Sequence, residues 1–377
     1  MKKMKIGILT LPLCTNYGGI LQAYALQTVL EKMGHEVWVI DKTPDAPSLP
    51  LWKAIFVYPK RLFNKILGNN DNIVFLEKYV VKTRSIVRKN TDRFIKEYIH
   101  RIVVDSYSEL SNDNSFDAII VGSDQVWRPV YFGENRIEDA YLDFAKKLTL
   151  KRIAYAPSFG VDVWEYSAEQ TAKCKALLQK FNMVSVREKS GLQLCRKYLD
   201  CEAQWVLDPT MLLDDISYIQ LFEKDKSLEQ RGGLLNYILD DTPEKNAIIQ
   251  KVSVNKKLQP FRVGSKTENI HASIEERIQP PLEDWLRGFY YAEFIITDSF
   301  HACVFSILFK KQFIVAENKQ RGLSRIKSLL ECLGIEDRIV DQNFDVDSIS
   351  VIDYESVYKR LEEMRTSSYE FLKKAVR

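Results

Sequence analysis

The chain has 377 residues, enough for two domains of ordinary size, and its 46% hydrophobic and 28% charged content is that of a soluble globular protein. A net charge of +3 suits anionic small molecules and falls short of the concentrated basic face that nucleic acid requires. The six cysteines (Cys14, Cys174, Cys195, Cys201, Cys303, Cys332) form no C-x-x-C and no short His/Cys cluster, so neither structural zinc nor a disulfide framework is expected.

The start, Met1 to Leu13, superficially resembles a signal peptide, but its apolar run is short. Asn16-Tyr17-Gly18-Gly19 also stands where a small-residue cleavage site would be. Lys5 to Thr10 is better read as a first buried parallel strand. No run approaches a membrane span, and a cytoplasmic protein is expected. A polar turn, Thr15 to Gly19, precedes a helix from about Ile20 to Lys32, spaced by Leu21, Tyr24, Ala25, Thr28 and Val29. Gly34 stops it, and Glu36 to Asp41 is a second strand, completing a βαβ opening. The adjacent glycines are not a G-x-G-x-x-G fingerprint. A plain tight turn and a substrate-contacting turn through Asn16, Gly18 and Gly19 both fit.

Leu51 to Leu67 is apolar with interspersed Lys53, Lys60, Arg61 and Lys65. An interfacial helix with peripheral contact to the inner membrane face has this make-up, but Pro59 interrupts it. A helix packed on its own domain is the expectation. Phe75 to Tyr98 reads as one charged helix. Strands are then expected at Asp117–Val121, Arg152–Ala156, Met183–Val186 and Trp205–Leu207, each followed by turn-forming or polar residues. Such strand ends are where α/β sheets carry their ligand crevice, which makes Ser123, Asp124 and Gln125 candidates. Arg187 is either one half of an ion pair at a sheet edge beside Glu188 or a bidentate clamp for a carboxylate or phosphate.

A second alternating set follows: strands at Leu234–Leu239, Leu258–Val263, Glu293–Thr297 and Gln312–Ala316, with helices at Thr242–Lys256, Pro281–Tyr291 and Ile326–Leu333. Domains are expected at 1–205 and 206–350, with a terminal amphipathic helix in 351–377. Between the strand ending at Thr297 and the helix after it lie Asp298, Ser299 and His301. Asp or Ser at a helix start caps backbone N–H groups, and the remaining ones make an anion site. A neutral imidazole beside such a site is well placed to move a proton. A packed, satisfied histidine is the plainer alternative. Arg321, Ser324 and Arg325 fall just before the Ile326–Leu333 helix. Asp345-Val346-Asp347 spells a D-x-D, but no strand pattern surrounds it, and it is taken as a loop without metal.

Taken together, Asn16-Tyr17-Gly18-Gly19 with Leu21-Gln22-Ala23, Gly122-Ser123-Asp124-Gln125-Val126-Trp127, Val186-Arg187-Glu188, Asp208-Pro209-Thr210 and Thr297-Asp298-Ser299-Phe300-His301 resemble the polysaccharide pyruvyl transferase family, from the first strand to about Arg338. The resemblance implies a GT-B-like α/β fold, two Rossmann-like domains with parallel sheets facing a cleft. It implies transfer of a pyruvyl group from phosphoenolpyruvate, as co-substrate with no separate cofactor, to a sugar or lipid-linked glycan, as a ketal. On it, His301 matches the key histidine and Arg187 a substrate-binding arginine, with Arg321 and Arg325 in a second basic stretch. The chain departs from the family pattern at Ala302-Cys303, where many members have Gly-Thr, and at Ser299, where an arginine is often found. Two other functions compete. One is a GT-B glycosyltransferase using a nucleotide sugar, for which no base pocket or paired acids stand out. The other is a non-catalytic binder of anionic glycan.

Overall fold

The computed structural model describes residues 2–45, 47–68, 73–112, 115–223, 232–318 and 323–377. Its strands form two parallel sheets. The first contains β1 (Lys5–Leu9), β2 (Glu36–Lys42), β3 (Arg101–Val104), β4 (Ala118–Val121), β5 (Lys151–Ala154), β6 (Met183–Val186) and β7 (Gln204–Trp205), in the order β3-β2-β1-β4-β5-β6-β7. The second contains β8 (Leu234–Tyr237), β9 (Pro260–Phe261), β10 (Phe294–Thr297), β11 (Gln312–Ala316) and β12 (Ile339–Val340), in the order β12-β11-β10-β8-β9. Strands covered on both faces read as unbroken apolar runs, and β4 (AIIV) and β10 (FIIT) are buried throughout. Strand order reverses between β1 and β4 and between β8 and β10, the switch points where open α/β sheets bind ligands. The expected α/β class and the GT-B-like pair of Rossmann-like sheets are both present.

The helices that bear on function are α1 (Tyr17–Lys32), α2 (Leu51–Ile66), α3 (Leu76–Val87), α4 (Lys89–Tyr98), α5 (Leu282–Tyr291), α6 (Phe300–Leu308), α7 (Ser324–Leu333) and α8 (Tyr354–Ala375). One apolar core runs from Ile6 and Ile8 under the first sheet, through Tyr17 and Trp285, to Ile295 and Phe313 under the second. Tyr17 Oη also donates to the Pro280 carbonyl at 2.7 Å. A junction this apolar holds the two sheets together as packed layers. Helix α8 crosses it: Ser368 Oγ accepts from Leu207 N (3.0 Å), Arg365 Nε donates to the Met211 carbonyl (2.6 Å), and Tyr358 Oη donates to the Leu308 carbonyl (2.8 Å).

Several expectations are corrected. The glycines after Asn16 are helical, because the Asn16 side chain accepts from Gly19 N (3.2 Å) and starts α1 three residues earlier than the apolar spacing indicated. The charged stretch to Tyr98 is two helices that meet at Arg88, whose guanidinium bonds both Leu13 O and Asp92. Helix α2 runs on through Pro59, and no residue of it is buried, so it does not pack its apolar face on its own domain. The edge strands β3 and β12 had not been foreseen. Asp345-Val346-Asp347 lies in a loop, where Asp345 Oδ1 accepts from Asp347 N (3.1 Å) and Asp347 Oδ1 accepts from Asn255 Nδ2 (2.9 Å).

Candidate active site

The first sheet supplies a buried charge network at the ends of β4, β5 and β6. After β4 the backbone turns at Asp124, which holds φ 69°, and after β5 at Ala156, which holds φ 55°. Asp tolerates the left-handed region, but Ala does so only at a cost of about 1–3 kcal/mol. Ser158 N bonds the Asp124 carbonyl (2.8 Å) and Arg187 N the Pro157 carbonyl (3.3 Å), tying the three strand ends in sequence. Arg187, at the end of β6, is 3% exposed. Its Nη1 donates to Asp208 Oδ2 at 2.6 Å and its Nη2 to Asp124 Oδ1 at 3.3 Å, so its hydrogen-bonded ion pairs are with these carboxylates, while the neighbouring Glu188 acts on it only through the field. Asp208 also accepts from Ser123 Oγ (2.8 Å), Thr210 Oγ1 (2.6 Å) and Thr210 N (3.0 Å). Glu188 turns the other way: Oε1 accepts from Phe159 N (2.8 Å), while Oε2 is buried and has no partner among the described residues.

The second sheet presents α6 to this network. Asp298 does not cap α6, contrary to expectation. Its carboxylate is taken by Leu239 N (2.7 Å), Lys245 Nζ (2.7 Å) and Asn318 Nδ2 (2.9 Å), tying β8 to β11. Ser299 occupies the N-cap position, and its side chain makes no capping bond. His301 follows in the first turn. Its Nε2 lies 3.7 Å from Asp208 Oδ2, a charge neighbour beyond hydrogen-bond reach, and has no other partner among the described residues. The opposite edge of the ring lies on α1: a Cβ on Gly18 would fall 2.0 Å from His301 Nδ1. Glycine is needed here for close approach, not for an unusual backbone angle.

Phe300 joins two cations. The Arg187 guanidinium carbon lies 4.5 Å from its ring centroid and that of Arg325, from α7, lies 5.8 Å away. Burial, reinforced by the like charge of Arg187, pushes the Arg325 pKa down to about 10. Burial alone would raise the Asp208 pKa, but His301, Arg187 and Thr210 outweigh it and hold the carboxyl well below the usual carboxylate range. Burial raises that of Glu188 against the opposing pull of Arg187 and Arg325.

The fold thus gathers Gly18, Ser123, Asp124, Arg187, His301 and Arg325, with Asn16 joined through Nδ2 to Asp124 Oδ2 (3.4 Å). Gly19 packs on Asn16. Ser299 is half-buried and its backbone N bonds Thr297 Oγ1 (3.0 Å). Gln125 turns toward Arg128, accepting from Nη1 (3.4 Å), and Arg128 itself forks onto Glu165 at 3.1 Å through both arms. Arg321 lies outside the described residues. A 430 Å³ surface cavity lined by Tyr24, Tyr98 and Leu221 contains none of these groups. Sequence reasoning named Asp208-Pro209-Thr210 as a strand-end turn and as one of the motifs behind the family resemblance, but missed that the Asp208 carboxylate is the pivot between Arg187 and His301. It also passed over Phe300, which looks like one more core residue.

Two buried cations at one aromatic ring, a helix start whose N-cap Ser299 makes no side-chain cap bond, and a histidine facing a carboxylate together offer anion binding and proton transfer. The sequence model of one family, polysaccharide pyruvyl transferase, matches residues 16–320. No curated protein matches the chain. Among solved structures, a putative UDP-N-acetylglucosamine 2-epimerase from Listeria monocytogenes is similar with a TM-score of 0.49 at 10% identity, over 98% of this chain and 90% of that one. Arabidopsis thaliana UGT89C1 complexed with UDP-L-rhamnose is similar with a TM-score of 0.47 at 9% identity, over 98% and 99%. The ADP-heptose LPS heptosyltransferase II of E. coli has a TM-score of 0.39 at 10% identity, over 97% and 99%.

Proposed function

Because the chain belongs to the polysaccharide pyruvyl transferase family and is therefore a transferase, we propose that it moves a pyruvyl group from phosphoenolpyruvate to two hydroxyls of a sugar, in a cell-surface polysaccharide or its lipid-linked precursor, on the cytoplasmic side. The observation that carries this reading is the pair of buried guanidiniums, Arg187 and Arg325, whose central carbons lie 4.5 Å and 5.8 Å from the Phe300 ring centroid, next to His301.

Phosphoenolpyruvate carries a carboxylate and a phosphate. Arg325, the Nε of Arg187, which has no partner among the described residues, and the start of α6, where Ser299 makes no side-chain cap bond, are the groups suited to them. His301 delivers a proton to the methylene carbon, leaving an oxocarbenium-like centre at the adjacent carbon. A sugar hydroxyl adds there and passes its proton to the imidazole that has just donated, phosphate leaves with its bridging oxygen, and the second hydroxyl closes the ketal, its proton going to the departing phosphate. Asp208, fixed by Arg187, Ser123 and Thr210, is the carboxylate nearest the ring, 3.7 Å from its Nε2, and places a negative charge beside the proton-transferring group. Phosphoenolpyruvate is a co-substrate, and this sequence of steps uses no separate cofactor.

The test is thermal stability of wild type and Arg325→Met with phosphoenolpyruvate and with a panel of nucleotide sugars. A ligand that binds only the folded state raises Tm. Stabilisation by phosphoenolpyruvate that is lost in Arg325→Met is expected. Stabilisation by a nucleotide sugar instead would overturn the pyruvyl donor.

A further inference from the structure

Helix α2 is arranged opposite to a normal surface helix. At about 100° per residue, its residues Leu51 to Leu67 place every side chain within an arc of about 160° in the apolar class. That arc includes Trp52, Ile55, Phe56, Leu62, Phe63 and Ile66, and these are between 49% and 74% exposed. The opposite face is the one turned to the protein. There Arg61 pairs with Glu77 (3.0 Å), and the Tyr58 ring lies 5.1 Å from that of Phe75. A patch of this kind, contiguous, aromatic-rich and outward, marks an interaction site.

We propose that α2 lies in the plane of an anionic lipid surface and holds the enzyme there. Its charges select this occupant. Leu51–Ile66 contains Lys53, Lys60, Arg61 and Lys65 and no Asp or Glu. Lys60 and Lys53 follow one edge of the apolar arc and Lys65 the other, the layout of a helix seated between acyl chains and phosphate headgroups. Exposed Lys78 on α3, over the half-exposed Phe75 ring (5.6 Å), extends the same chemistry. A second copy of the chain fits poorly, since two such faces would set these lysines against one another with no acid in either helix. Among the described residues no helix is long and apolar enough to cross a membrane, so the contact is with its surface. Helix α2 leaves the carboxyl end of β2, the same sheet edge that carries Asn16 and Asp124. The docked edge is therefore the one that bears the site. The inference does not depend on which donor is used, because its test reads binding and not turnover.

The full chain is floated with vesicles of phosphatidylcholine alone and of phosphatidylcholine with phosphatidylglycerol. Binding to the anionic vesicles, weakened by salt, is expected. Lys53→Gln and Lys60→Gln should each weaken it about fivefold. Phe56→Glu with Phe63→Glu should abolish it while leaving Tm unchanged, since both side chains are already solvent-exposed. Failure to float with either vesicle, or flotation unchanged in the Phe56→Glu/Phe63→Glu variant, overturns the proposal. So does a monomer–dimer equilibrium in analytical ultracentrifugation that the same variant abolishes, which would assign the face to a second copy.

Discussion

Replacing Gly18 by alanine tests whether α1 and His301 are built around one another. The added Cβ would lie 2.0 Å from Nδ1, 2.3 Å from Cγ and 2.7 Å from Cε1 of the imidazole. Ordinary contacts between such atoms are about 3.5–4.0 Å, so the ring or the helix start must withdraw by about 1.5 Å. Overpacking of this kind costs about 1–3 kcal/mol. Against it stands a gain of up to about 1 kcal/mol from exchanging glycine for the best helix former inside α1. Alone, then, Gly18→Ala should destabilise by up to about 3 kcal/mol in urea titration. In a His301→Ala background the obstruction is gone, and the same substitution should be neutral or stabilising. The coupling in the double-mutant cycle should equal the overpacking term, about 1–3 kcal/mol. Additivity of the two substitutions within about 0.5 kcal/mol would refute the close approach of α1 to His301.

Asp208→Asn should cost about 3–5 kcal/mol, because it takes the nearest carboxylate from a buried arginine, and chemical denaturation reads it directly. The Asp208 carboxyl titrates below its unfolded value, so its stabilisation is in full force above about pH 4 and is lost as pH falls from there through the folded value. The acid limb of the stability curve should therefore flatten in Asp208→Asn. Arg325 has the opposite sign: a guanidinium pushed down to about 10 is a cation that folding disfavours below that pH. Arg325→Met should raise Tm at neutral pH, by the equivalent of about 1–3 kcal/mol, while losing the response to phosphoenolpyruvate. A drop in Tm would remove the electrostatic argument. His301→Gln should lower turnover about 10²–10⁴-fold with the fold retained by circular dichroism.

The sheets were legible because parallel strands buried on both faces leave short, unbroken apolar runs, as at β4 and β10. The edge strands β3 and β12 went unseen, whereas the two-residue edge strands β7 and β9 were each overlapped by a longer expected strand. His301, Arg187 and Arg325 could be picked out as chemistry at strand and helix ends. Their partners could not, because Asp208 meets Arg187 across 21 residues and His301 across 93, separations along which no local pattern runs. Asp298 shows the converse failure. A residue of the right type at the right place for a cap is instead drawn off by Lys245 and Asn318. The length of α2 was read correctly and its orientation was not, since periodicity finds an apolar stripe without saying what lies against it.

Helix α8 sets a limit on how this protein can be cut and recombined. By sequence order it follows the second sheet, yet Ser368 and Arg365 hold Leu207 and Met211 on either side of Asp208, while Tyr358 holds Leu308. A chimera joined near residue 206, with the second half taken from a relative, would bring a foreign last helix to the segment that carries Asp208. The exchangeable unit is therefore discontinuous. A graft that preserves the native seat of Asp208 must return residues 354–375 to the first sheet's own lineage, and one that ignores this would lose the alignment of His301 even with each half intact.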